Sequence, residues 1–247
     1  MKHTSLATIT VGLCLHLASG AHAQSTVTWG VSAGMNKYTE ANMKLVGPEI
    51  GLHARGVNVF PNTNWVLEGD VLLGRQNYTS TSTGSMRNVG NVETRWRVLG
   101  EVVSDSGWSS GLALHTLWND LQGIATDSNG KKYSGYQRTA QQVWLPVRWT
   151  PTQASSLELG TLISGKHTSA LSQAKPGTYT DITNKQKSGT YLQASVDLGL
   201  PNGDRLSPFV RYTHLSASDV VTMANEPWIE PNNHRLQTGV IWQFVSP

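Results

Sequence analysis

A histidine and a serine stand two residues apart at His214 and Ser216, near the end of a run in which apolar and polar residues alternate. This pair has the groups needed for nucleophilic catalysis, because an imidazole can act as general base on a serine hydroxyl while a carboxylate orients the imidazole. Glu226 or Glu230 could supply that carboxylate. A histidine and a serine at this spacing also arise readily by chance, so His214, Ser216 and Glu230 are candidates only.

A larger set of charged side chains recurs on the polar faces of the alternating runs. Every basic member of the set is an arginine, whereas lysine lies in polar connections, as at Lys131 and Lys185. The set consists of Glu49, Arg55, Glu68, Asp70, Glu93, Arg95, Arg97, Glu101, Arg138, Arg148, Glu158, Asp197, Arg205, Arg211 and Arg235. Because the planar guanidinium bridges carboxylates with several bonds, this choice predicts a salt-bridged network in a confined polar space.

Metal and thiol chemistry find no support in the sequence. The single cysteine, Cys14, lies close to the N terminus, and three of the eight histidines, His3, His16 and His22, are also near that end. The remaining histidines are scattered and do not follow metal-ligand spacing. We therefore predict no metal site and no cofactor.

Composition excludes several function classes. The 247 residues fit one domain or at most two small ones. With 19 basic and 16 acidic residues the net charge is only +3, and no basic run is present, which argues against a nucleic-acid partner. The 9 tryptophans argue against a disordered chain.

Residues 1–23 have the features of a secretory signal peptide. Lys2 is basic, residues 6–18 are mostly apolar, and Ala21-His22-Ala23 matches an A-x-A cleavage site. The apolar stretch is shorter than the ~20 residues that a spanning helix needs. We expect export, followed by one domain over residues 24–247.

Alternation with a period of two dominates the rest of the chain and predicts ten strands. In the clearest run, Val92 and Trp96 share one face while Glu93 and Arg95 share the other. Short turns rich in Asn, Gly, Pro and Ser follow every second strand. Between them we predict longer polar loops at about 36–42, 77–90, 119–135, 165–188 and 216–233.

Large aromatic residues fall near the ends of the predicted strands, as two interfacial girdles require. These residues are Trp65, Trp108, Trp149, Trp242 and Phe244 at one end, and Trp118 and Tyr212 at the other. Together with the arginine-rich polar faces, they favour a barrel whose apolar face meets lipid and whose polar face fills the lumen. The alternative is a soluble barrel or sandwich with the opposite arrangement.

The chain after residue 23 resembles the small outer-membrane β-barrel proteins of Gram-negative bacteria, of the porin-like or OmpA-like superfamily. The matching features are the export signal, the alternating strands, the short and long connections, and a closing strand that ends in Trp242 and Phe244. The resemblance implies an all-β, closed antiparallel transmembrane barrel of about ten strands, with eight or twelve as alternatives. That family's last strand usually ends at its terminal aromatic, whereas Val245-Ser246-Pro247 follow Phe244 here.

We expect a structural or surface-binding protein of the cell outer membrane with a salt-bridged lumen, rather than an enzyme. A narrow porin or channel is the first alternative. The second is an outer-membrane hydrolase of the lipid A deacylase type, because those enzymes resemble this chain in their His-x-Ser pair; here Ala217-Ser218 replaces the Asn-Ala that follows their serine.

The expected partners follow from this location. They are outer-membrane lipid, lipopolysaccharide and the barrel-assembly machinery, with no nucleic acid. The loop at 165–188 carries Lys166, Lys175, Lys185 and Lys187 but only Asp181 as an acid, so lipopolysaccharide phosphates are plausible neighbours of that loop. We expect the protein to be a monomer.

Overall fold

The computed structural model describes residues 26–57, 64–103, 106–223 and 226–245, so the predicted signal peptide at 1–23 lies outside the described part of the chain. Ten long antiparallel strands form the wall of a closed barrel. The strands are β1 (Thr26–Glu40), β2 (Met43–Val57), β3 (Val66–Ser80), β4 (Gly84–Val103), β5 (Trp108–Asp120), β6 (Gln137–Thr152), β7 (Ser155–Ser169), β8 (Gly189–Val196), β9 (Arg205–Leu215) and β10 (Asn233–Val245). The predicted fold class and strand number are confirmed.

The barrel closes through its first and last strands. Neighbours along the chain pair with one another, and β1 pairs with β10 from Thr28 opposite Val245 to Glu40 opposite Asn233. Each of the ten strands therefore has a partner on both sides. A closed ladder is needed in lipid, where no water is available to unpaired backbone groups.

The long connections gather at one end of the barrel, here called the loop end, and they span residues 121–136, 170–188 and 216–232. They contain short elements of their own: strands Ile124–Thr126 and Lys132–Ser134, strand Ile182–Gln186, strands Val220–Met223 and Glu226–Ile229, and the 3-10 turn Leu171–Gln173. At the opposite end, the turn end, strand Leu198–Gly199 pairs with β9. No helix among the described residues is long and apolar enough to cross a bilayer.

Two of the predicted loops are mostly strand. β1 and β2 are joined by residues 41–42 alone, and β3 and β4 by residues 81–83. The polar residues of the predicted 77–90 loop remain in the ladder, as where Tyr78 pairs with Leu45 and Met86. The polar side chains of these two segments led to the prediction of loops. The segments form hairpins that extend beyond the apolar belt, and their backbones remain hydrogen-bonded.

The outer face of the wall is apolar. Ile50, Leu52 and Leu159 are 62%, 65% and 54% exposed although they lie in long paired strands. The alternate residues of the same strands, such as Glu49 and Glu158, are buried. This polarity is the inverse of a soluble sandwich and suits a barrel surrounded by lipid.

The predicted girdle residues lie on this outer face. At the turn end, Trp108 and Trp149 stack with ring centroids 5.8 Å apart, and Trp242 and Phe244 lie 5.4 Å apart. Trp65, just before β3, is exposed at the same end. Towards the loop end, Tyr212 is exposed and Trp118 is half-buried. Amphipathic rings at two levels are typical of the two interfaces of a membrane barrel.

An arginine substitution on the outer face should show where the hydrocarbon belt lies. Leu52 is flanked by Val31 and Val71, whereas Val46, on the same strand and face, is flanked by Lys37 and Asn77. We expect Leu52→Arg to lower the free energy of unfolding in phospholipid vesicles by ~2–4 kcal/mol and Val46→Arg by ~0–1 kcal/mol. Equal costs in denaturant titrations of the two variants would contradict this placement.

Candidate functional site

The barrel interior holds most of the charged residues singled out in the sequence. Eleven of the fifteen are buried: Glu49, Glu68, Asp70, Glu93, Arg95, Arg97, Arg138, Arg148, Glu158, Arg211 and Arg235. The other four lie near the turn end. Of these, Glu101 and Asp197 are half-buried, while Arg55 and Arg205 expose nearly half of their side chains and belong to the barrel rim rather than its interior.

The turn-side cluster consists of Glu68, Asp70, Arg97, Arg148 and Glu158. Arg148 on β6 reaches across to β3, where its Nη1 and Nη2 donate to the two carboxylate oxygens of Glu68 at 2.7 and 2.6 Å. Its Nε donates to Glu158 Oε2 at 2.8 Å. Arg97 on β4 lies 3.0 Å from Glu68, 3.1 Å from Asp70 and 3.4 Å from Glu158. Two guanidinium groups thus hold three carboxylates from both sides of the lumen.

Neutral side chains complete the turn-side cluster. The hydroxyl of Tyr191 donates to Glu158 Oε1 at 2.7 Å. His53 Nδ1 lies 2.8 Å from Asp70 Oδ1, and its Nε2 lies 2.7 Å from the hydroxyl of Ser32. The imidazole therefore links a carboxylate to the wall strand β1. With these contacts every carboxylate of the turn-side cluster has at least two partners, as buried charges require.

The middle cluster consists of Glu49, Glu93, Arg95, Arg235 and Gln237. Arg235 Nη2 lies 2.8 Å from Glu93 Oε2, and Arg95 Nε lies 3.3 Å from Glu93 Oε1. The amide of Gln237 donates to Glu49 at 2.9 Å and to Glu93 at 3.0 Å. The cluster therefore joins β10 to β2 and β4 through the interior.

The loop-end cluster consists of Tyr38, Glu40, Arg138, His167 and Glu230. Arg138 Nη2 donates to Glu40 Oε2 at 3.1 Å and forms an ion pair with Glu230. His167 Nδ1 lies 2.7 Å from Glu230 Oε2, and the hydroxyl of Tyr38 donates to Glu40 Oε2 at 2.7 Å. Three wall strands, β1, β6 and β7, meet at this cluster.

Glu230 is the only member of the loop-end cluster that comes from a loop. Its carboxylate is buried in the mouth of the barrel, and its backbone exchanges hydrogen bonds with Ser218, so it anchors the 216–232 loop. Burial alone would raise the pKa of this carboxyl, but Arg138 and His167 together lower the pKa to about 2.

The predicted candidates His214, Ser216 and Glu230 are not brought together. His214 lies on the outer face beside His234, with their Nδ1 atoms 3.1 Å apart. Ser216 accepts a hydrogen bond from the hydroxyl of Ser188 at 2.9 Å. Glu230 is held inside the barrel by Arg138 and His167. The strand alternation places Leu215 inward, so the residues on either side of it face away from Glu230.

The sequence did not lead us to predict that Trp144 and its aromatic neighbours lie in the interior. Trp144 is fully buried and packs against Tyr191, with ring centroids 5.2 Å apart, and against His115 at 5.7 Å. Trp144 has the same parity along β6 as Arg138 and Arg148, and this parity could have predicted that its side chain faces inward.

Arg211 differs from the other buried arginines. Its Nη1 donates to Gln193 at 3.0 Å, and its guanidinium lies 3.8 Å from the centroid of the Tyr191 ring. Its Nη2 lies 3.4 Å from the ring nitrogens of His115. Within the described ranges, no carboxylate oxygen lies within 4.0 Å of it. Arg211 is thus held by neutral and aromatic groups, whereas Arg97 is held by acids.

The clusters project into the lumen. A cavity of about 130 Å³ at the turn end is lined by Glu68, Asp70, Arg97 and Arg148. A second cavity of about 50 Å³ lies nearer the loop end, beside Glu93 and Arg138, and shares no lining residue with the first. In the described part of the chain, no group of three or more His, Cys, Asp or Glu residues could hold a metal ion. The interior carboxylates already have arginine or glutamine partners, so the arrangement is suited to cross-linking the wall.

Comparison with known proteins supports the same class of structure. No protein-family model matches the chain, and no curated sequence matches it. The translocator domain of the autotransporter NalP from Neisseria meningitidis aligns over 96% of both chains with 11% identity and a TM-score of 0.50. The beta domain of the Bordetella autotransporter BrkA aligns over 91% of this chain and 100% of its own, with 10% identity and a TM-score of 0.49. By fold, this chain is a closed antiparallel β-barrel similar to the NalP translocator domain.

The two kinds of buried arginine should respond differently to replacement. Arg97→Met leaves Asp70, Glu68 and Glu158 with fewer cations, and we expect it to lower the free energy of unfolding by roughly 3–5 kcal/mol. Arg211→Met removes a charge without an acidic partner and should change that free energy by about 1 kcal/mol or less. Denaturant unfolding in detergent micelles measures both values. A folded Arg97→Met barrel with wild-type stability would refute the structural role of the turn-side cluster.

Glu230 should couple the 216–232 loop to pH. Because its pKa in the folded protein is below the ordinary value of 4.5, its contribution to stability is complete above about pH 4.5 and is lost as the pH falls towards about 2. We expect pepsin to cut this loop more slowly in the wild type than in Glu230→Gln at pH 4, and the two proteins to become more alike as the pH falls to 2. Glu230→Gln should expose the loop to thermolysin at pH 7, whereas Glu226→Gln, on the exposed strand of the same loop, should not. Equal cleavage of the two variants would contradict the anchor.

Proposed function

We propose that this protein is a closed, non-conducting barrel of the cell outer membrane that acts as a structural and surface-binding element of the envelope. The observation that carries the proposal is the set of arginine–carboxylate bonds that cross the lumen. A strand number near ten leaves an interior that side chains can nearly fill.

The arginine–carboxylate bonds in the lumen would be costly to break and re-form, as a channel gate requires. Arg148 binds Glu68 with two charge-assisted hydrogen bonds and Glu158 with a third, and all three residues are buried. Leaving one partner of such a network unpaired costs several kcal/mol, so opening a path for solutes would be unfavourable. This cost favours a structural role for the charged interior over the function of a narrow porin.

The loop end supplies the binding surface of the proposal. Lys166, Lys175, Lys185 and Lys187 are all exposed at or near the 170–188 loop. Exposed ammonium groups at the outer surface would favour the phosphates of lipopolysaccharide. We infer that export of the chain, assembly by the barrel-assembly machinery and a monomeric state in a Gram-negative outer membrane accompany this role.

The hydrolase alternative lacks a supporting geometry. His214 and Ser216 have partners other than each other, and Glu230 belongs to the loop-end cluster. The channel alternative retains the cavity at the turn end as an entrance. Conductance separates this alternative from the closed barrel.

Planar bilayer recordings test the proposal. We expect the wild-type barrel to insert without stable conductance steps, and the double variant Glu68→Ser/Arg148→Ser to remain closed as well, because the middle and loop-end clusters still cross the interior. Heat-modifiable migration on gels checks that both samples are folded. Reproducible single-channel steps from the wild-type protein would overturn the closed barrel and favour the narrow porin.

A further inference from the structure

Three polar side chains converge on the outer face of the wall, one rung from its loop end. His214 on β9 lies directly opposite His234 on β10, and only the pair Leu215–Asn233 lies beyond them in this ladder. The two imidazoles stack with centroids 4.7 Å apart. Tyr212 lies two residues before His214 on the same face and also stacks on His234.

The donor atoms of these side chains lie close together. The Nδ1 atoms of His214 and His234 are 3.1 Å apart, and the hydroxyl oxygen of Tyr212 is 2.6 Å from Nδ1 of His234. Imidazole nitrogens bind zinc at about 2.0–2.1 Å, so two nitrogens on one ion at angles between right and tetrahedral lie about 2.8–3.4 Å apart. The separation of the two Nδ1 atoms falls in this range.

These histidines differ from the others in the described part of the chain. His53, His115 and His167 face the interior, where each contacts Asp70, Arg211 or Glu230 respectively. Those imidazoles are close to fixed charges and have no second imidazole within reach. Only His214 and His234 form a pair that is free of carboxylate and guanidinium contacts.

The pair lies outside the apolar belt. On β1, the outward-facing neighbour of His234 is Thr39, which lies nearer the loop end than the outward-facing Lys37. Because a lysine on the lipid side marks the polar margin of a barrel, His234 is at the level of water and lipid headgroups. A hydrated metal ion from the medium can therefore reach it.

We propose that Tyr212, His214 and His234 form a surface site for a divalent transition-metal ion of the zinc or copper class. The two imidazole nitrogens are the principal ligands, the Tyr212 oxygen is a third, and water fills the remaining positions. Imidazole suits these ions, and ligation requires its neutral form. In the metal-bound form each imidazole carries its single proton on Nε2, so both Nδ1 lone pairs are available, and the Tyr212 hydroxyl releases its proton to solvent when its oxygen ligates. The site does not depend on whether the lumen is closed.

Titration calorimetry of the untagged, folded barrel in micelles with zinc chloride tests the site. We expect one ion per barrel, and His214→Gln and His234→Gln should each weaken binding on the order of tenfold or more, as loss of a zinc ligand does. Tyr212→Phe should weaken it less. Thr39→Ala, beside His234 on the other neighbouring strand, is the matched control and should bind as the wild type does.

A second measurement identifies the ligands directly. Copper(II) bound to the wild-type barrel should show electron paramagnetic resonance splitting from two imidazole nitrogens, and from one in either histidine variant. Absence of zinc and copper binding by a barrel with normal heat-modifiable migration would overturn the proposal. Binding that both histidine variants retain unchanged would do so as well.

Discussion

Buried arginine–carboxylate bonds across the lumen are the interaction on which this barrel depends. Arg97 and Arg148 enter from β4 and β6 and meet Glu68 and Glu158 from β3 and β7. The bonds Arg97–Glu158 and Arg148–Glu68 join strands that are not neighbours in the wall, whereas Arg97–Glu68 and Arg148–Glu158 join adjacent strands. Backbone ladders fix only adjacent strands. The side-chain bonds that cross the lumen link strands beyond these neighbours, and they lie beside a buried apolar cluster that includes Trp144 and Tyr191.

This constraint also explains the choice of residues on both faces. A guanidinium buried near acids from several strands can satisfy more than one of them, which the point charge of lysine does less well. Lysine accordingly lies outside, as at Lys37 and Lys166, where solvent hydrates it. The apolar residues that a soluble protein would bury face outward here, as on the lipid-facing surface of a membrane barrel, while the ion pairs lie inside.

The sequence predicted the features that depend on alternation alone. The parity of Glu93, Arg95 and Arg97 identified the inward face of β4, and the period of two led to ten strands. Features that depend on register were not predictable from one strand at a time. The His214–His234 pair arises only when β9 and β10 are aligned, and the capture of Glu230 by Arg138 depends on how a loop folds back.

The loop-end cluster connects the strands of the wall to the 216–232 loop. Arg138 belongs to the wall, yet its acidic partners are Glu40 at the end of β1 and Glu230 in the 216–232 loop. The 216–232 loop places the Glu230 carboxylate in the barrel mouth. An arginine–carboxylate ion pair therefore lies at the mouth, as it does in the middle cluster. The position of the loop depends on the charge state of Glu230, whose pKa is lowered by Arg138 and His167. The position of the 216–232 loop, and with it the surface at the loop end, therefore depends on the ion pair between Arg138 and Glu230 inside the barrel.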